Sequence, residues 1–77
     1  MLILLGKGIF HLVEVESLPN SGDDIPLDGG PRGRGMFRLT RTGNEKWNGV
    51  EYPYFTIERV TDLPEGVEPV PSALMSV

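Results

Sequence analysis

Apolar positions in this chain come in short runs, and no stretch repeats them at a helical period for three turns. Residues 2–5 form a continuous apolar run, Gly6-Lys7-Gly8 is a turn signal, and residues 9–16 are rich in β-branched and aromatic side chains. Together they predict a hairpin or a sharply bent strand. Within the second run Ile9, His11, Val13 and Val15 share one face, while Phe10, Leu12, Glu14 and Glu16 share the other. The first half is therefore expected to be buried on both sides, and the glutamate end exposed.

Residues 36–42 and 50–60 give the clearest alternation and predict a second hairpin, joined by a loop over 43–49. Pairing Thr42 with Val50 sets Arg41 opposite Glu51, Phe37 opposite Phe55 and Arg38 opposite Tyr54, a register that matches charges and aromatics. One face then carries Phe37, Leu39, Phe55 and Ile57, a core side. The other carries Arg34, Met36, Arg38, Tyr52 and Tyr54. Pro53 has no N–H to give a ladder, so residues 50–60 are expected at an edge or with a bulge.

Between the hairpins, residues 17–35 read SLPNSGDDIPLDGGPRGRG, a series of turn formers with little apolar period. The reading is a loop of about nineteen residues, pinned by Ile25 and Leu27 and long enough to serve as a binding arm, since loops beyond ~12–15 residues are usually functional. Residues 61–77 add three prolines and three acids without a base, which favours an extended conformation. They end in apolar residues again, so Leu74, Met75 and Val77 are expected to dock in an apolar groove of this domain or of a neighbour. The fold expected is all-β: one small domain over 1–60, an open barrel or SH3-like antiparallel sheet with a long loop over 17–35, followed by an extended tail over 61–77.

Composition sharpens this reading. Ten glycines and seven prolines in 77 residues leave little room for helix. A core this small supplies only about 3–5 kcal/mol, and chains of this length often add disulfides, metals or partner subunits. There is no cysteine, and a single histidine cannot build a usual zinc site. Partner contact is the stabiliser that remains. The opening MLILLGKGIFHLV resembles the apolar part of a targeting signal, but Lys7 interrupts it after a short run and no small-residue cleavage site follows. Nothing approaches the ~18 apolar residues of a membrane span. A soluble chain is expected, in the cytoplasm, or in the host cytoplasm or virion if the source is viral.

Charge adds the most specific feature. The net charge is −4, yet between Asp28 and Glu45 stand Arg32, Arg34, Arg38 and Arg41 with no carboxylate. Guanidinium forks suit carboxylate or phosphate, so this segment is either an anion-binding site or a counterweight to the chain's own acids. Arg32, Arg34, Met36, Arg38, Tyr52 and Tyr54, with the only tryptophan, Trp47, make the candidate partner-binding set, because Tyr, Trp and Arg dominate interface energy. GGPRGRG is one short unit rather than an RNA-binding tract, and no Gly-Lys-Ser/Thr makes it a phosphate loop. Asp23, Asp24 and Asp28 lack the spacing of a calcium loop. His11 among apolar neighbours reads as a buried structural histidine, and no nucleophile setting is present. No catalytic residue, cofactor or metal is expected. The leading expectation is a non-enzymatic interaction or structural module bound to another protein or to its own copies, as in an accessory component of a viral or other assembly. The alternatives are a single-strand nucleic-acid binder using Arg34, Arg38, Tyr52 and Tyr54, which the acidic balance disfavours, and a small phage-type inhibitor of a host enzyme.

Overall fold

Six strands in one mixed sheet make up the computed structural model, which describes residues 1–75. In chain order they are β1 (Leu2–Lys7), β2 (Ile9–Glu14), β3 (Asp24–Asp28), β4 (Arg34–Trp47), β5 (Val50–Thr61) and β6 (Ser72–Met75), with one 3-10 turn at Gly30–Arg32. Their order across the sheet is β3-β4-β5-β1-β2-β6, and the sheet curls into a half-barrel. The expected small all-β domain is thus the observed one. It differs from a purely antiparallel sheet at one place, where β1 runs parallel to β5 with Leu4 beside Tyr54 and Leu5 beside Phe55. No helix among the described residues is long and apolar enough to cross a membrane.

The predicted hairpin over residues 36–60 forms, but with a longer ladder and a tighter turn than expected. Trp47 pairs with Val50 across the two residues Asn48-Gly49, both at positive φ (49° and 81°). Asn-Gly is the preferred pair for such a turn, because both central residues must enter the left-handed region. Residues 43–47 are therefore strand, and Arg38 lies opposite Glu58, Phe37 opposite Arg59 and Arg41 opposite Phe55, in place of the pairs expected from sequence. Counting from the turn, Asn44 and Pro53 fall at a non-hydrogen-bonded pair, so Pro53 withdraws no ladder bond from β4. Gly49→Ala should lower stability by about 1–2 kcal/mol, the cost of a left-handed L-residue, with no change in fold; Asn48→Gly should be close to neutral. Urea unfolding of the two variants checks this.

β4 would measure about 48 Å if straight, at roughly 3.4 Å per residue, whereas the molecule is 38 Å along its longest axis. It must bend, and register shifts between Met36 and Phe37 and between Arg41 and Gly43 mark where. The second shift leaves Thr42 as the extra residue of a bulge. Before it, Phe37 and Leu39 face the interior; after it, the odd-numbered residues Gly43, Glu45 and Trp47 share the outer face with Tyr54, Tyr52 and Val50.

The core fills the concave side. Ile3 and Leu5 from β1, Val13 from β2, Leu27 from β3, Phe37 and Leu39 from β4 and Phe55 from β5 are wholly buried, with Val15, Ile25, Ile57 and Val70 packed against them. His11 is the one polar residue among the described residues buried with them.

Two segments expected as irregular are ordered by pairing. Within 17–35, Asp24–Asp28 is a strand that pairs with β4, extended by hydrogen bonds from Gly22 N to Leu39 O and from Leu39 N to Asp23 O. Its Asp-Ile-Pro-Leu-Asp alternation sends Leu27 inward and the aspartates outward. Pro26 is tolerated because its carbonyl accepts from Val70 N (2.9 Å) on the side away from β4, so its missing N–H removes nothing from the ladder. The tail is a strap. Val70 forms a parallel bridge with Leu27 of β3, and β6 then pairs antiparallel with β2, so the tail links the two outer strands of the sheet within one chain.

Candidate interaction surface

The sequence-predicted partner residues fall into three places. Arg34, Met36 and Arg38 stand along β4 beside β3. Arg34 Nε donates to Asp28 (3.2 Å), and Arg38 engages both oxygens of Asp24, through Nε (2.9 Å) and Nη2 (3.1 Å), with Glu58 across the ladder. That carboxylate contact raises the Arg38 pKa, first through the hydrogen bond and then through charge. Asp28, accepting from Gly30 N and from Arg34, is held below the usual carboxylate range. Met36 is half-buried opposite Pro26 and Thr61. Arg32 is elsewhere, in the 3-10 turn, with Nη1 donating to the carbonyl of Ile9 (3.2 Å) and tying that turn to β2. Two further arginines are engaged as well. Arg41 donates to Asn44 (2.9 Å) and lies 5.3 Å from the centre of the Phe55 ring, and Arg59 pairs with Asp62.

Trp47, Tyr52 and Tyr54 occupy the third place, the convex side of the β4–β5 hairpin. Tyr54 lies four residues along β5 from Glu58, roughly 13 Å away at 3.3 Å per residue, so the tyrosines and the paired arginines share the outward side of the β4–β5 ladder but stand apart on it. Trp47 and Tyr54 gather instead around Phe10, a residue that sequence reading left outside the site, with Tyr52 on the same side of the sheet. The Phe10 ring is 5.5 Å from Trp47 and 6.1 Å from Tyr54, tilted by 53° to each. Such tilted pairs contribute about 0.5–1.5 kcal/mol beyond area burial. Beneath them Leu4, on the side of β1 away from the core, is only 1% exposed. The Tyr54 hydroxyl donates to the carbonyl of Gly6. Burial, then the charge of Glu45, raises its pKa, opposed by Arg32, so the phenol keeps its proton and its role as donor.

The cluster is a half-covered surface. Phe10, Leu12, Trp47, Tyr52 and Tyr54 are each partly exposed, and Leu2 (42%) and Val50 (50%) extend it into solvent. Phe10 was missed because its strand looked buried on both sides, and the side on which Trp47 falls was not legible because nothing in the sequence marks the bulge at Thr42. Of the tail residues, Leu74 and Met75 belong to β6, opposite His11 and Phe10 in the ladder, while Val77 lies outside the described residues. Among the described residues no group of three or more histidines or carboxylates could hold a metal ion.

Compared with family models, with curated proteins and with solved structures, the chain matches none.

Proposed function

We propose that this chain is a non-enzymatic interaction module, an accessory component of a larger assembly, that docks through the aromatic face of Phe10, Trp47, Tyr52 and Tyr54 onto a protein with an apolar patch and a basic rim. The observation that carries this reading is the partly exposed ring cluster around Phe10, on the side of the sheet opposite the core. Aromatic anchors that are held in place before binding lose little entropy on docking. The partner's charge follows from this chain's own. The net charge is −4, and Arg34, Arg38 and Arg59 each sit against an aspartate of the same chain, so the field offered to a partner is acidic. That field disfavours a second copy and also nucleic acid, and Arg34 and Arg38 are in any case remote from the tyrosines.

The test uses the immobilised chain and lysate of its source organism, followed by anisotropy with the purified captured protein. The expected partner is basic, binds more weakly as salt rises, and loses about tenfold or more in affinity with Tyr52→Ala, as an interface anchor should, while Arg38→Ala leaves binding nearly intact. Equal binding by Tyr52→Ala sinks the proposal. So does a dimer of the chain that this substitution dissociates, or a single-stranded oligonucleotide whose binding it weakens.

A further inference from the structure

His11 sits where the strap meets the barrel. It faces Leu74 of β6 on one side and Leu5 of β1 on the other, and only 2% of its surface reaches solvent. Its Nε2 is buried with no hydrogen-bond partner among the described residues. Beside it lies a cavity of about 360 Å³, bounded by His11, Asp28, Gly30 and residues 69–72 of the strap. A buried polar atom without a partner costs about 1–3 kcal/mol even when neutral, and a buried charge costs more.

The groups able to compensate a charge on this ring are few. β3 brings Asp28, whose carboxylate already accepts from Gly30 and Arg34, and the 3-10 turn brings the guanidinium of Arg32, which opposes it. Residues 69–72 of the strap are Pro, Val, Pro and Ser, and β6 continues with Ala73, Leu74 and Met75, none of them titratable. The interior faces of β1, β4 and β5 offer Leu5, Phe37, Leu39 and Phe55. Burial therefore dominates, Arg32 adds to it, Asp28 offsets only part, and the ring's pKa lies below its ordinary value.

We propose that His11 is a proton-operated latch for the C-terminal strap: its neutral ring sits against residues 69–72 of the strap, and its protonation frees the strap from β2 and β3 while the other five strands stay paired. The release is local because the strap is held by one Val70 bridge and a four-residue ladder, whereas β4 and β5 share the longest ladder of the sheet. The sign follows from the lowered pKa. Stabilisation of the closed strap is complete above the unfolded value of 6.5 and is lost as pH falls from there through the folded pKa. Asp28, held below 3.8, stays charged throughout that window. His11 lies on the interior side of β2, whereas the aromatic cluster lies on its opposite side with Phe10, which pairs with Met75 in the ladder. The latch works through the interior ring and stands whether or not that face binds a protein.

The experiment is residue-resolved amide hydrogen exchange between about pH 7 and about pH 5, expressed as protection factors. Val70 and the amides of β6 should lose protection by up to about tenfold per pH unit, the limit for one proton. Amides in the centre of β4 and β5 should keep theirs, and His11→Gln should make the strap insensitive to pH over this range; if that variant does not fold, His11→Leu serves, since an apolar side chain suits the site. Three results overturn the latch: equal strap protection across the range in the wild-type chain, loss of β4 and β5 protection in step with the strap, or an unchanged pH slope in the histidine variant.

Discussion

Deleting residues 70–77 lowers the melting temperature by about 10 °C or more and leaves the protein a single chain in solution. The deletion removes Val70 from the core and four cross-strand pairs from β2. At about 1–1.5 kcal/mol for a partly buried valine and ~0.2–1 kcal/mol for each pair, the loss is roughly 2–5 kcal/mol, and each kcal/mol displaces the melting point of so small a domain by about 4–8 °C. Read as sequence, the apolar tail was expected to dock on this domain or on a neighbour, where a small core gains from burying surface. In the structure it pairs with β2 and bridges to β3 of its own chain, so truncation should act on melting rather than on mass. Calorimetry with light scattering on both forms decides; a dimer that dissociates on truncation would show that the strap is exchanged between chains.

Phe37→Ala should leave no folded protein at 25 °C. Phe37 is wholly buried at the centre of the core, and its ring edge lies under Gly29, where a Cβ would stand 2.9 Å from Cζ. Truncating a buried phenylalanine costs about 3–5 kcal/mol, the same size as the whole stability expected of a core in a chain of this length. Far-ultraviolet circular dichroism with and without urea measures it. A cooperative urea transition retained with more than half the wild-type stability would mean that the core collapses around the missing ring and that the inner face is less closely packed than its burial indicates.

The sequence was legible wherever a local rule was enough. Alternation in residues 36–42 and 50–60 identified the core face correctly, because the true register differs from the expected one by an even number over Phe37 to Arg41 and parity alone decides which side chains point inward. The position of the turn was missed although its signal was present: Asn48-Gly49 is the preferred two-residue hairpin pair, but matching Arg41 to Glu51 drew the pairing towards a seven-residue loop. β3 was missed because Pro26 and its flanking aspartates read as turn chemistry. Only the partner strand shows that Asp24 and Asp28 stand opposite Arg38 and Arg34. The aromatic site was half legible. Tyr52, Tyr54 and Trp47 stood out by type, but Phe10 joins them through the sheet order β5-β1-β2, and the bulge at Thr42 that carries Trp47 to the same side is a tertiary adjustment no short pattern encodes.

The parallel pairing of β1 with β5 sets a timetable for the chain as it is made. β1 can form its hairpin with β2 at once, but its other edge waits for Tyr54 and Phe55, about fifty residues later than Leu4 and Leu5. At roughly 5–20 residues per second that is ~3–10 s of synthesis, far longer than the microseconds in which a hairpin closes. Throughout that interval the Leu-Ile-Leu-Leu run is an uncovered apolar strand edge, the kind of segment that chaperones bind and that pairs with a neighbouring nascent chain. Recovery of soluble protein from cells should therefore depend on how fast ribosomes traverse the stretch between β2 and β5, more than on the stability of the finished barrel.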